Sequence, residues 1–218
     1  MICSRLLKPS IDNDSLWNDL RLKRVAIFLE LSKKIRKGKK LKIIDIGGSP
    51  YFWRNMGITQ YNHLIIDCFN IKEFNSNFEN ISCFVGDATD LKNVRDKEYD
   101  IAFSNSVIEH VGSFAEQKKM ASEVRRVAKN YFVQTPNFWF PIEPHARLPF
   151  AQFLPLFLKT LLMLLILRKS IHNFGMVRSA VDNVRLLTRT KLEILFPDGI
   201  IIEERFCGIV KSFMIHNI

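Results

Sequence analysis

Seven short apolar runs constrain the fold more than any other feature of this 218-residue chain. They are rich in isoleucine, valine and phenylalanine, as strands buried on both faces are. The runs occupy residues 41–48, 63–68, 81–87, 99–105, 130–137, 199–206 and 208–215. Helix-forming stretches alternate with the first five runs, a pattern typical of βαβ units and a parallel sheet.

The last two runs break this order. Only one residue separates 199–206 from 208–215, whereas two parallel strands need a crossover of about a dozen residues. These two strands must therefore be antiparallel. The sequence predicts a single α/β domain over residues 1–218, with a seven-stranded, mostly parallel sheet and an antiparallel C-terminal strand.

Two helices have clear start signals. Asp12, Asp14 and Ser15 offer N-caps to a helix whose apolar residues recur at helical spacing from Leu16 until Gly38. Ser113 and Glu116 form an S-x-x-E capping box for a second helix between the fourth and fifth runs.

One segment does not fit the α/β rhythm. Residues 138–175 begin as an aromatic, proline-rich stretch and continue as an apolar run at 155–167, whose only charge is Lys159. A membrane-spanning helix needs roughly 20 apolar residues, so this run is too short to cross a bilayer. We expect an insert that acts as a lid over a soluble substrate, a dimer interface or a peripheral membrane contact.

Charge and cysteine content narrow the classes of partner and compartment. The net charge of +10 favours an acidic partner, but the basic run at 33–42 has no interleaved aromatic residues to stack on bases. We read that run as a solvated helix end and disfavour nucleic acid as a partner.

Four cysteines without a C-x-x-C pair suit a reducing compartment, so we expect a cytoplasmic protein. The five scattered histidines predict no metal site.

The polar and glycine residues that carry chemistry stand at the ends of the predicted strands, where open α/β sheets bind ligands. Gly47 and Gly48 follow the first strand, and Asp67 closes the second, as in folds that bind a nucleotide ribose. A nicotinamide oxidoreductase and a methyltransferase share these two features. The turn lacks G-x-G-x-x-G, and Asp87 adds a carboxylate that can accept from an adenine amino group. An adenosine without a diphosphate, as in S-adenosylmethionine, fits this set best.

Four motifs in order, "IIDIGGS", "LIIDCF", "GDATDL" and "FSNSVIEHVG", resemble those of the class I S-adenosylmethionine-dependent methyltransferases of the small-molecule type. The resemblance runs from about Leu41 to Asn137 and resumes near the C-terminus. It implies the Rossmann-like class I methyltransferase fold and S-adenosylmethionine as cofactor. The chain departs from the family at Ser49-Pro50-Tyr51, where a further glycine is usual. The implied cofactor residues are Asp45, Gly47 and Gly48 at the methionine end, Asp67 at the ribose, Asp87 and Ala88 at the adenine, and Asn105 near the amino acid moiety.

The Glu109–His110 pair follows the fourth strand. Methyl transfer to a hydroxyl or amine requires a positioned acceptor and removal of a proton, and histidine suits a general base near neutral pH. We predict His110 as the base, with Glu109 either orienting it or holding the cofactor's pocket. The alternative is that the pair only shapes the turn.

A second polar cluster, Trp139, Glu143 and His145, follows the fifth strand. Polar groups among aromatic residues suggest a substrate pocket on the same rim, and the alternative is a proline-rich lid with solvated charges.

The sequence thus predicts methyl transfer to a small-molecule or lipid- or glycan-linked acceptor. Two alternatives remain: a methyltransferase acting on RNA or DNA, supported only by the basic charge, and a non-catalytic protein that keeps the cofactor fold for interaction. A nicotinamide oxidoreductase ranks behind both.

Overall fold

The computed structural model describes residues 15–142, 149–166 and 171–218. The helices are α1 (Leu16–Arg36), α2 (Pro50–Asn55), α3 (Phe114–Val127), α4 (Leu156–Ile166), α5 (Phe174–Asp182) and α6 (Arg189–Leu195). The strands are β1 (Leu41–Ile46), β2 (Leu64–Asn70), β3 (Ile81–Val85), β4 (Tyr99–Asn105), β5 (Ala128–Pro136), β6 (Ile200–Phe206) and β7 (Ile209–His216).

The strands form one seven-stranded sheet in the order β3-β2-β1-β4-β5-β7-β6. Strands β1 to β5 pair in parallel, and β7 lies antiparallel to both β5 and β6. The predicted fold class is therefore confirmed, including the reversed C-terminal strand. Every predicted strand is present, with ends that differ by up to two residues.

Local signals place the two predicted helices correctly. Ser15 caps α1 by accepting a hydrogen bond from the backbone N–H of Trp17 at 3.2 Å. Ser113 is the N-cap of α3, and its hydroxyl accepts from the backbone N–H of Glu116. Both caps satisfy a backbone donor that the first helical turn leaves without a partner.

Apolar side chains fill both sides of the sheet. On one side, residues of α3 and α6 pack against alternate positions of β1, β4 and β5. On the other side, α1 and Trp53 of α2 pack against the remaining positions of the same strands. A sheet covered on both faces explains why its central strands read as nearly continuous apolar runs.

An aromatic cluster anchors the second side of the core beneath the end of β1. The Phe103 ring lies 4.9 Å from Phe28 and 4.8 Å from Trp53, and it stacks on Phe132 at 5.8 Å. Such ring pairs add to the stabilisation that comes from burial alone. The cluster ties α1 and α2 to the centre of the sheet, so the loop between β1 and α2 rests on a rigid base.

The predicted insert contains α4, and α5 begins within it. The face of α4 that includes Phe157, Leu158 and Leu165 is exposed, whereas Thr160 and Leu164 are buried. None of the helices in the described ranges combines the length and apolar character needed to cross a bilayer.

Candidate active site

The order of the strands reverses between β1 and β4, because β2 and β3 lie on one side of β1 while β4 and β5 lie on the other. A crevice opens at the carboxyl edge of such a sheet, since the two connecting loops diverge there. The loop after β1 begins at this point, where the backbone N–H of Gly47 donates to the carbonyl of Phe69 at 2.7 Å.

Gly47 and Gly48 let this loop pack closely on its neighbours. Gly47 has φ +80°, and a Cβ there would clash with the side chain of Val107. A Cβ on Gly48 would clash with the carboxyl group of Asp45. Glycine is therefore required at both positions, at the first by conformation and at both by space.

Asp45 lies beneath the loop rather than in an open cavity. Its side chain is 1% exposed, and its Oδ2 accepts a hydrogen bond from the indole N–H of Trp53 at 2.7 Å. The Cys68 thiol lies 3.8 Å from the same oxygen. Burial raises the pKa of Asp45 to about 7, and these two hydrogen bonds oppose part of the rise. Asp45 therefore supports the loop from beneath. The resemblance had implied a different position for it, beside the methionine end of the cofactor.

Cavity A, of about 610 Å³, opens above the ends of β1, β2 and β3. This volume lies within the range of small-molecule sites. Of the predicted cofactor residues, Gly47, Asp87 and Ala88 line it, and His110 lines it as well. Asp87 is exposed, and its Oδ1 accepts from the backbone N–H and hydroxyl of Thr89, both at 2.8 Å.

Asp67 does not line this cavity, and the prediction that it closes the second strand is wrong. It is buried three residues before the end of β2 and accepts a hydrogen bond from the Tyr99 hydroxyl at 2.8 Å. Asn70 occupies the end of β2 instead and lines cavity A. The Asn70 amide donates to the carbonyls of Gly47 and Gly48 at 2.9 and 3.0 Å. Asn70, and not Asp67, is thus the polar residue at the end of β2 that lines cavity A.

Cavity B, of about 440 Å³, lies beside cavity A. Ser49 and Ser106 line both cavities, so the two meet between the loops that follow β1 and β4. Ser106 has φ +55°, a conformation that few residues other than glycine adopt. Its hydroxyl donates to the Gln134 side chain at 2.8 Å, and this bond helps to hold the tight turn after β4. Asn105, another predicted cofactor residue, lines cavity B.

The Glu109–His110 pair forms the end of a short 3₁₀ turn, Ile108–His110. Glu109 is fully buried, lines cavity B, and accepts a hydrogen bond from the Thr135 hydroxyl at 3.1 Å. His110 is exposed and lines cavity A. The turn thus directs two adjacent side chains to two different cavities.

A buried ionic cluster in one wall of cavity B was not predicted. Glu204 accepts from Arg24 Nε at 2.8 Å, from Lys211 Nζ at 2.9 Å and from the Ser212 hydroxyl at 2.8 Å. The two cations hold the pKa of Glu204 down at about 2 against the effect of burial. One signal for this cluster was present in the sequence: Arg24 interrupts the apolar stripe of α1, between Leu20 and Phe28.

The predicted substrate residues are only partly described. Trp139 is 63% exposed and lines neither cavity A nor cavity B. Its ring meets Phe138 edge to face at 4.9 Å and lies tilted against Phe153 at 5.9 Å. Glu143 and His145 lie outside the described residues. Within the described ranges, no group of three or more histidine, cysteine and acidic side chains is arranged to hold a metal ion.

Comparison with known proteins shows which fold this architecture matches. Residues 56–131 match a family model described as a methyltransferase domain. The structure also superposes on many solved chains of that kind. These matches identify the fold as the Rossmann-like fold of the class I S-adenosylmethionine-dependent methyltransferases.

Two solved members of this fold illustrate the match. The CurJ carbon methyltransferase has a TM-score of 0.61 at 9% identity, over 98% of this chain and 56% of that chain. The 1,6-didemethyltoxoflavin-N1-methyltransferase of Burkholderia thailandensis, solved with its substrate and S-adenosylhomocysteine, has a TM-score of 0.54 at 9% identity. That match covers 95% of this chain and 82% of the other. At such identities the likeness shows the fold alone.

Among curated proteins, an uncharacterized protein of Mycobacterium tuberculosis, recorded for two strains, is 38% identical over 56 residues. The match spans 26% of this chain and 19% of that relative. The chain therefore corresponds to a minor part of the length of these relatives.

The raised pKa of Asp45 predicts a specific pH dependence of stability. The folded protein holds this proton more tightly than the unfolded chain does, so ionisation of Asp45 on raising the pH lowers the free energy of unfolding. Asp45→Asn cannot ionise. Its stability relative to wild type should therefore improve by on the order of 2–3 kcal/mol from about pH 5 to about pH 8.

Urea unfolding across this pH range measures the difference, and Asp90→Asn, at an exposed position, is the matched control. A difference between Asp45→Asn and wild type that does not change with pH would show that Asp45 titrates normally.

Proposed function

We propose that this protein binds S-adenosylmethionine in cavity A and transfers its methyl group to a small-molecule acceptor in cavity B. The observation that carries this proposal is the junction of the two cavities at Ser49 and Ser106, at the reversal of strand order. A group-transfer enzyme needs two sites that meet at the reacting atoms, because positioning supplies much of the rate.

The residues of cavity A fit an adenosine without a diphosphate. The Asp87 carboxylate, two residues after the end of β3, can accept a hydrogen bond from the adenine amino group. Asn70 lies where ribose hydroxyls would be held. Apolar side chains of Phe69, Val107 and Val111 line the same cavity and can cover the faces of the ring. The loop at Gly47 and Gly48 would receive the methionine end, with Asn105 and Ser106 beside it.

S-adenosylmethionine, when bound, supplies an electrophilic methyl group, so the protein has to position the acceptor and remove its proton. The acceptor enters cavity B, where the Glu109 carboxylate can accept a hydrogen bond from its hydroxyl or amine. His110 lines cavity A and not cavity B. It is our candidate for the general base for an acceptor whose reacting group passes the junction of the two cavities, because a base must lie within hydrogen-bond reach of the proton that it removes.

The apolar face of α4 favours one extension of the acceptor class. Phe157, Leu158 and Leu165 are 62%, 47% and 69% exposed. Contiguous exposed apolar surface marks lids, protein interfaces or membrane contacts. We propose a peripheral membrane contact through 155–167, which would bring lipid- or glycan-linked acceptors to the enzyme; a lid over a soluble acceptor is the alternative.

The cofactor assignment predicts selective binding by the Asp87 loop. The protein should bind S-adenosylhomocysteine in calorimetric titration and should not bind NAD. Asp87→Asn should weaken the binding by about 1–3 kcal/mol, the range for hydrogen bonds to charged groups. Asp90→Asn, in the same loop, should leave it unchanged. Comparable affinity for NAD, or equal binding by the Asp87→Asn variant, would contradict the assignment.

The base assignment predicts a rate effect without a binding effect. His110→Ala should lower kcat roughly 10²-fold, the usual size of a general-base contribution, while the affinity for S-adenosylhomocysteine stays the same. The assay follows S-adenosylhomocysteine formation with an acceptor found by screening small molecules, lipid-linked sugars and RNA. Glu109→Gln serves as the comparison and should raise KM for the acceptor more than it lowers kcat. An unchanged kcat in His110→Ala would contradict the general-base role. The turn would then contribute to the rate only by positioning the acceptor.

The membrane proposal predicts that the protein sediments together with anionic vesicles at low salt. Each basic side chain near an anionic surface adds about 1 kcal/mol to the binding free energy. Replacing Phe157, Leu158 and Leu165 with serine should abolish sedimentation. Leu164→Ser is not an informative variant, since Leu164 is buried and its loss would perturb packing. A wild-type protein that stays in the supernatant would contradict the membrane contact and leave a lid or a dimer interface as the role of α4.

A further inference from the structure

We propose that the acceptor carries an anionic oxygen group, a carboxylate or a phosphate, which Arg24 and Lys211 bind in the wall of cavity B formed by α1 and β7. This inference rests on the proposed function, since it names the chemistry of the molecule that cavity B receives.

Both cations are buried and line the cavity. Arg24 is 8% exposed and Lys211 is 7% exposed. They come from opposite ends of the chain, one from the first helix and one from the last strand. Removing a charge from water is costly, so two buried cations in one cavity wall call for negative partners.

The protein supplies one such partner to the two cations. Glu204 contacts Arg24 at 2.8 Å and Lys211 at 2.9 Å, and it does not line the cavity itself. Its Oε2 also accepts from Ser212, so its bonding capacity is largely used. Arg24 and Lys211 therefore carry two positive charges against the one negative charge of Glu204.

The rest of cavity B has a different character. Glu109 places a carboxylate in the part of the cavity that the turn after β4 forms, next to Ser106 and the junction with cavity A. An acceptor with its anionic group on Arg24 and Lys211 would keep that charge on the cationic wall and leave its uncharged hydroxyl or amine for Glu109. The cavity thus selects the orientation as well as the charge of the acceptor.

The side chains on this wall suit the recognition of an oxyanion. Arg24 uses Nε for Glu204 and NH1 for the Asn105 side chain, at 3.1 Å, so its planar fork is held in place. Arginine binds carboxylate and phosphate through such preorganised N–H groups, and lysine adds a point charge. The Trp17 ring, 5.0 Å from Lys211 Nζ, offers a flat surface for the body of the acceptor. Burial, followed by repulsion from Arg24, lowers the pKa of Lys211 to about 8, as expected where cations outnumber carboxylates.

Calorimetry of the full chain saturated with S-adenosylhomocysteine tests the proposal. Benzoate and inorganic phosphate are the two anionic probes and distinguish a carboxylate from a phosphate; benzamide is the neutral match for benzoate. The wild type should bind at least one anion, and if this is benzoate, benzamide should bind about tenfold or more weakly. Lys211→Met should weaken anion binding by about tenfold or more, while the exposed control Lys129→Met leaves it unchanged.

A third variant separates anion binding from a purely structural role of the cluster. Glu204→Gln keeps the shape of the side chain but removes the internal negative charge, so it should tighten anion binding. A cluster that served only stability would show no gain in affinity. Should the substitutions unfold the protein, the comparison of anionic and neutral probes on the wild type decides alone.

Three results would overturn the proposal: equal binding of benzoate and benzamide with no binding of phosphate, unchanged anion affinity in Lys211→Met, or anion binding that S-adenosylhomocysteine abolishes. The last would assign the cations to the cofactor's own carboxylate. Failure of S-adenosylhomocysteine to bind, with anion binding intact, would overturn the proposed methyl transfer and leave the anion site standing.

Discussion

The hydrogen bond between the buried Asp45 carboxyl group and the Trp53 indole holds the active edge of this protein together. It links the end of β1 to α2, and the Asp45 side chain fills the space that a Cβ on Gly48 would need. Trp53 in turn packs on Phe103 at the centre of the aromatic cluster. The loop that separates cavities A and B therefore stands on the core of the sheet, and a carboxyl group with a raised pKa is retained because it bonds to the indole N–H there.

The turn after β4 explains how one short motif serves two cavities. Ser106 takes a left-handed conformation and bonds to Gln134, which reverses the chain sharply. The following 3₁₀ turn buries Glu109 toward β5 and leaves His110 exposed beside the loop after β3. Strained backbone of this kind is tolerated where surrounding bonds over-determine it, and it is concentrated at functional sites.

Charge divides the two cavities by chemistry. Cavity A is lined by the apolar side chains of Phe69, Val107 and Val111, together with the carboxylates of Asp87 and Glu116 and one lysine, Lys72, a set that suits a neutral adenine ring. In cavity B, Arg24 and Lys211 share the single carboxylate of Glu204. Attraction between charges is strong where water is excluded. Because this cluster is buried, it can discriminate between charged and neutral acceptors, which charges on the open surface do only weakly. The chain's net charge of +10 would not by itself reveal this.

The sequence by itself determined the sheet, its reversed last strand and the helices with caps, because these depend on local spacing of apolar residues and on backbone donors within one turn. It also placed Gly47, Asp87 and the Glu109–His110 turn just after the ends of β1, β3 and β4, since strand ends can be read from the residues that stop them. It misplaced Asp67: a carboxylate near the end of an apolar run looked like the end of the strand, but the Tyr99 hydroxyl, 32 residues away, satisfies it inside the sheet. The strand continues to Asn70. Only the tertiary structure brought Arg24 to Glu204, 180 residues apart, and separated the cavities that Glu109 and His110 face. No local pattern encodes such contacts, because they arise only when α1 packs on the face of the sheet to which β6 and β7 contribute.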